Sequence, residues 1–100
     1  GFPPFVYQAL LRAESQNESA LMDFLGYAAN QTGTGREAVT LYDPVPATIS
    51  KIAGHHRAHL LVQCASRVEL QRFLSGWRAL LIEKKAARVR WSLDVDPIEL

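Results

Sequence analysis

Residues 57–81 read RAHLLVQCASRVELQRFLSGWRALL, and the period of their apolar positions changes partway along. From Arg57 to Cys64, the side chains to be buried are Leu60, Val62 and Cys64, two apart, which is the repeat of a strand with one covered face. Beyond Ser66-Arg67-Val68-Glu69 the apolar positions are Leu70, Phe73, Leu74, Trp77 and Leu81, the stripe of an amphipathic helix. The change of period falls on a capping box, with Ser66 set to accept from the Glu69 amide and Glu69 to reach back. Lys84 and Lys85 suit the negative C-terminal end of that helix. A strand that runs into a one-sided helix needs a sheet for the helix to cover, so the chain mixes both structures in one layered core.

Upstream, Phe5 to Glu14 alternates: Tyr7, Ala9, Leu11 and Ala13 share one face, while Gln8, Arg12 and Glu14 share the other with Leu10. Ser15-Gln16-Asn17-Glu18 reads as a first capping box with Ser15 as the cap, followed by Leu21, Phe24, Leu25 and Ala28 at helical spacing and an end near Gln31. A second strand is expected from Ala38 to Tyr42; Pro44 and Pro46 interrupt it, and pairing resumes from Ala47 to Ile52 before a turn at Ala53-Gly54. Downstream, Arg88 to Asp96 alternates with Val89, Trp91, Leu93 and Val95 inward. The order βαββαβ is satisfied most economically by an α+β two-layer sandwich of ferredoxin-like type, an antiparallel sheet with both helices on one face. That architecture serves many functions and selects none.

Composition bounds the rest. One hundred residues, 48% of them hydrophobic, suffice for a single domain with a core. A net charge of +1 means that any basic surface must come from local clustering. Cys64 is the only cysteine, which excludes an internal disulfide or a cysteine-based zinc site and fits a reducing compartment. The triplets at Asn17 and Asn30 that match a glycosylation acceptor are read as chance, and no apolar run approaches the roughly 20 residues of a membrane span. The opening Gly1-Phe2-Pro3-Pro4, without an initiator methionine, suggests a piece of a longer protein.

Several residue groups invite a chemical reading. Thr32-Gly33-Thr34-Gly35 follows a helix instead of opening one, so it reads as a helix-ending loop and not a phosphate loop. His55 and His59 would stand roughly 13 Å apart along a strand, and His56 would face the other way, which argues for surface histidines near a turn and not a metal site. Asp94 and Asp96 share a face about 7 Å apart and read as a solvated strand end paired with Arg88 or Arg90, with cation binding the alternative. Arg67 and Gln71 lie one turn apart at the start of the second helix, off the apolar stripe. A cation there opposes the helix dipole but would meet an anion well, so the pair is either a solvated face or half of an anion site. Lys51, Arg57, Arg88 and Arg90 form a basic patch if the strands bring them together. With Trp91 inward no aromatic interleaves, so they suit phosphate contact better than base reading.

Taken together, Gly1-Phe2-Pro3-Pro4-Phe5, Arg12-Ala13-Glu14, Pro44-Val45-Pro46-Ala47, Ser66-Arg67-Val68-Glu69-Leu70-Gln71 and Arg90-Trp91-Ser92-Leu93-Asp94-Val95-Asp96-Pro97 resemble, in order and over the whole chain, the C-terminal domain of the PriA-type replication-restart helicases (primosomal protein N′). Asp43 departs from the glycine that this family usually places before Pro-Val-Pro. The resemblance implies that residues 1–100 are a non-catalytic fragment of a bacterial cytoplasmic, nucleoid-associated, ATP-dependent 3′-to-5′ DNA helicase. The ATP, magnesium and zinc sites of that parent lie elsewhere, and no cofactor belongs to this piece. It further implies three partners: the helicase core of the same chain, forked or single-stranded DNA, and the acidic C-terminal tail of single-stranded DNA-binding protein. For the last, the family's pocket arginine and glutamine match Arg67 and Gln71.

Two other readings compete. A free-standing regulatory domain of the same fold would bind a small molecule in a cleft and dimerise through strand edges. An acylphosphatase-type hydrolase would need a glycine-lined loop with a phosphate-binding arginine before the first helix, and Arg12-Ala13-Glu14-Ser15 supplies no such glycine.

Overall fold

The computed structural model describes residues 6–31, 33 and 35–95, and of residues 48–50 and 52 the backbone alone. Residues 1–5 and the expected Asp96 and Pro97 strand end lie outside the described residues, as do Thr32 and Thr34 of the glycine-rich loop. The elements are β1 (Tyr7–Ser15), α1 (Glu18–Ala29), β2 (Thr40–Leu41), β3 (Val45–Ile52), β4 (His55–Cys64), α2 (Arg67–Lys84) and β5 (Arg90–Val95). They form an α+β fold on one antiparallel sheet. β4 and β1 lie at its centre, β5 pairs with β1, and β2 and β3 both pair with β4.

The alternation read in the sequence sets which face is covered. Ala9, Leu11 and Ala13 of β1 and Ala58, Leu60, Val62 and Cys64 of β4 join Phe24 and Leu25 of α1 and Phe73 and Trp77 of α2 in one buried cluster, so both helices pack on the same face. Ala13 pairs with Ala58 on one side and Trp91 on the other, and Phe24 stacks on Trp91 with centroids 6.0 Å apart. Every position of the α2 stripe, Leu70, Phe73, Leu74, Trp77 and Leu81, is buried.

The helix ends hold two corrections. The cap of α1 is Asn17, not Ser15: the Asn17 side chain accepts from the Ala20 amide at 2.9 Å. Ser15 closes β1 instead, buried, its hydroxyl accepting from the Asn17 amide at 3.0 Å. Two residues able to cap lie close together, and the longer run of β1 pairing takes the first of them. At α2, Ser66 caps as expected, accepting from the Glu69 amide at 3.2 Å, but the return half of the box is replaced. The Ser66 amide donates to the Cys64 sulfur at 3.4 Å, and that thiol donates to the Ala38 carbonyl at 3.2 Å.

The strand expected from Ala38 to Tyr42 shrinks to Thr40–Leu41, because Arg36–Ala38 closes into a turn of 3-10 helix entered through Gly35 at φ 80°. The break at residues 42–44 agrees with the prolines, yet β3 begins at Val45 and carries Pro46, with its register against β4 shifting between Pro46 and Lys51. An edge strand tolerates this, since its outer amides have no ladder to complete. Ala53 (φ 51°) and Gly54 (φ 82°) then make the tight turn into β4, both left-handed as a two-residue hairpin requires.

Candidate nucleic-acid interface

Both helices lie on one side, so among the described residues no helix covers the other face of the sheet, and strand pairing arranges its side chains in rows. Opposite one another across β4, β1 and β5 stand Arg57, Glu14 and Arg90; one step along stand His59, Arg12 and Ser92; the next row is Leu61, Leu10 and Asp94. Successive rows are about 7 Å apart, two residues of strand rise. Leu10, in the third row, is buried, which leaves the first two rows as the accessible part of the face.

The first two rows line a groove of about 280 Å³ that holds Arg12, Arg57, Arg90 and His59 against one carboxylate, Glu14. Glu14 is already engaged, with His55 Nδ1 at 2.8 Å from its Oε2. Arg12 is oriented by Asp94, Nε donating to Oδ2 at 2.6 Å, while more than a third of its side chain remains open to solvent. That pairing corrects the expectation for Asp94, whose cation is Arg12 and not Arg88 or Arg90. The register places Arg12 directly beside Leu10 and within one row of Asp94. His59 stands opposite Arg12, and its pKa lies below the usual 6.5, first because burial disfavours the charged ring and second because the Arg12 guanidinium repels it.

A second groove of about 600 Å³ adjoins the first and shares Glu14 and Arg90 with it; His55, Asn17 and Arg88 complete its wall. The structure therefore brings Arg57 to Arg90 in one groove and Arg90 to Arg88 in the other. Lys51 is exposed on β3, paired in register with His56, and lines neither. Sequence reasoning did not place Arg12 and His59 on the basic patch. Alternation already turned Arg12 outward, but its place between His59 and Ser92 follows from pairing across more than forty residues of chain, which no local pattern encodes.

His55 and His56 follow directly on the Ala53-Gly54 turn, partly exposed, and each faces a carboxylate. His55 meets Glu14, and His56 meets Glu18 at 3.8 Å. Among the described residues no three His, Cys, Asp or Glu side chains converge as metal ligands do.

Arg67 and Gln71 lie elsewhere, exposed on the first turns of α2. Between them Val68 is 74% exposed, an apolar side chain beside a cation and an amide. Arg72 pairs with Glu69 at 3.8 Å on the same helix. Among the described residues no helix is long and apolar enough to cross a membrane.

Comparison with known proteins places these features in a family. The model of the primosomal protein N C-terminal domain matches residues 1–98. The chain is 36% identical over 104 aligned residues to the replication restart protein PriA of Haemophilus influenzae, matching along its full length. It is 29% identical over 96 residues to the protein of the same name from Rickettsia typhi, across 95% of the chain. In both cases it spans 14% of the relative's length. In fold it is similar to a de novo designed protein, Foldit4, with TM-score 0.63 and 10% identity over 89% of this chain and 96% of that one.

Proposed function

The chain belongs to the primosomal protein N C-terminal domain family, and from that premise we propose that it is the binding module, not the motor, of a bacterial replication-restart helicase. In this reading the chain is a C-terminal fragment that packs on a helicase core of the same polypeptide and works in the cytoplasm. The core carries the ATP, magnesium and zinc chemistry. The fragment's own task is to hold forked or single-stranded DNA, and the observation that carries it is the concave row of Arg57, Glu14 and Arg90 with Arg12 beside it. Three guanidiniums on a rigid sheet can contact successive phosphates without reading bases. Arg88 extends the basic wall into the adjoining groove, and Lys51 contributes from the hairpin edge.

The same reading gives α2 a separate partner, the acidic C-terminal tail of single-stranded DNA-binding protein. Arg67 takes the terminal carboxylate, Gln71 donates a second bond one turn on, and the exposed Val68 meets the apolar terminal side chain. A charge-assisted bond of this kind is worth about 1.5–3 kcal/mol.

Both surfaces are tested by titrating the protein with forked DNA and, separately, with a tail peptide. Arg57→Ala with Arg90→Ala should weaken DNA binding and flatten its salt dependence while leaving the peptide untouched. Arg67→Ala should weaken the peptide about tenfold or more and leave DNA binding intact. DNA affinity indifferent to the double substitution would reject the sheet face. Full peptide binding by Arg67→Ala within the intact helicase would reject the helix start.

A further inference from the structure

We propose that the open sheet face is a proton-linked phosphate clamp: a backbone phosphate seats between Arg12 and Arg57, and His59 becomes its third cation by taking up a proton as the phosphate arrives. The proposal rests on the reading of this face as a nucleic-acid surface, and it adds to that reading one residue, His59, and a regulation.

The geometry carries it. His59 lies on β4 two residues from Arg57, which puts the two side chains on the same face about 7 Å apart. Arg12 stands directly across from His59 on β1, and all three line the same groove. A phosphate bridging the two arginines therefore has the imidazole as its third neighbour.

The charges around His59 come from every strand that flanks it. On β1 they are Arg12 opposite and Glu14 one row away; on β4, Arg57; on β5, beyond β1, Arg90 and Asp94. β3 sets the uncharged Val45 against it, and its Lys51 lies at the far end opposite His56. Both carboxylates are committed, Asp94 to Arg12 and Glu14 to His55, so what the imidazole meets first is the positive charge of Arg12. In the free protein burial first, and this repulsion second, lower the pKa of the ring below the usual 6.5 and so favour its neutral form. An anion bound at Arg12 cancels the repulsion and offers the charged ring a partner, which raises its proton affinity.

Linkage makes the effect reciprocal: if phosphate favours the protonated ring, protonation favours phosphate by the same factor. The sign follows. Above both pKa values, free and bound, His59 is neutral in both states and affinity does not depend on it. As pH falls through the higher, bound-state pKa, binding takes up a proton and tightens, by up to about tenfold per pH unit until the lower free-state pKa is reached.

The test measures affinity for a short oligothymidylate carrying a pH-insensitive dye, at constant ionic strength, from about pH 8 down to about pH 5.5. Wild type should tighten as pH falls. His59→Gln should lose most of the gain between about pH 8 and about pH 5.5, whatever its affinity at the upper end, whereas His56→Gln should keep the wild-type profile. Proton NMR of the His59 ring should show its titration moving to higher pH in the complex. Parallel profiles for wild type and His59→Gln, or a ring titration unmoved by the oligonucleotide, would overturn the clamp while leaving the nucleic-acid reading in place. An oligonucleotide that fails to bind at any pH would remove the clamp together with the single-stranded half of the nucleic-acid reading.

Discussion

Trp77 shows how much one side chain can settle. It is 2% exposed at the middle of the α2 stripe, its ring lies 5.3 Å from that of Phe73, and its indole N–H donates to the Ala28 carbonyl at 2.9 Å. Ala28 is in the last turn of α1, where carbonyls have no partner within the helix, so the indole closes an end that the chain leaves open. Trp77→Ala should cost about 3–5 kcal/mol for the lost packing. Trp77→Phe keeps most of the ring but strands a buried carbonyl, and should cost about 1–3 kcal/mol in denaturant melts. If Trp77→Phe melts like the wild type, the hydrogen bond has no weight of its own. The stripe that buries Trp77 was legible from spacing. The acceptor 49 residues away was not, because a contact between two helices depends on how both lie on the sheet.

Elements end where several weak preferences are resolved, and these boundaries were the least legible feature of the sequence. Ser15 and Asn17 are both good caps; strand pairing through Ser15 decides for Asn17. Asn17→Ala should therefore destabilise by about 1 kcal/mol through lost capping, with Ser15→Ala leaving the helix start intact. At the far end of α2, Lys85 holds a left-handed φ of 51° that favours glycine. Lys85→Gly should raise the melting midpoint, a gain of about 1 kcal/mol from relieved backbone strain. A lower midpoint would mean that the lysine side chain contributes more than its conformation costs. The strand thinned to Thr40–Leu41 belongs to the same class, since a local turn after Gly35 consumed residues whose alternation read as extended.

For the whole molecule, strand faces, helix stripes and the α+β class were all carried by periodicity, because burying one face imposes a repeat that survives in composition. The sheet face proposed for binding carries no such signature. Its rows mix Arg57, Glu14, Arg90, His59, Arg12 and Ser92, residues any solvated surface might use, and only the long-range register assembles them. Among the described residues both helices share one buried cluster with the central strands, so they should unfold together. Melting followed by tryptophan fluorescence and by far-ultraviolet circular dichroism should give coincident transitions. A separate early transition would mean that one helix leaves without the sheet.

The interrupted strand also bears on association between molecules. An unpaired sheet edge is a template on which another chain can add a strand and, in crowded solution, begin an aggregate. Along the β2 and β3 side that template is spoiled three times over, by the gap at residues 42–44, by Pro46, which has no amide to offer, and by the register shift that follows. Growth by strand addition is thus blocked on that side, and among the described residues the opposite edge of the sheet is β5.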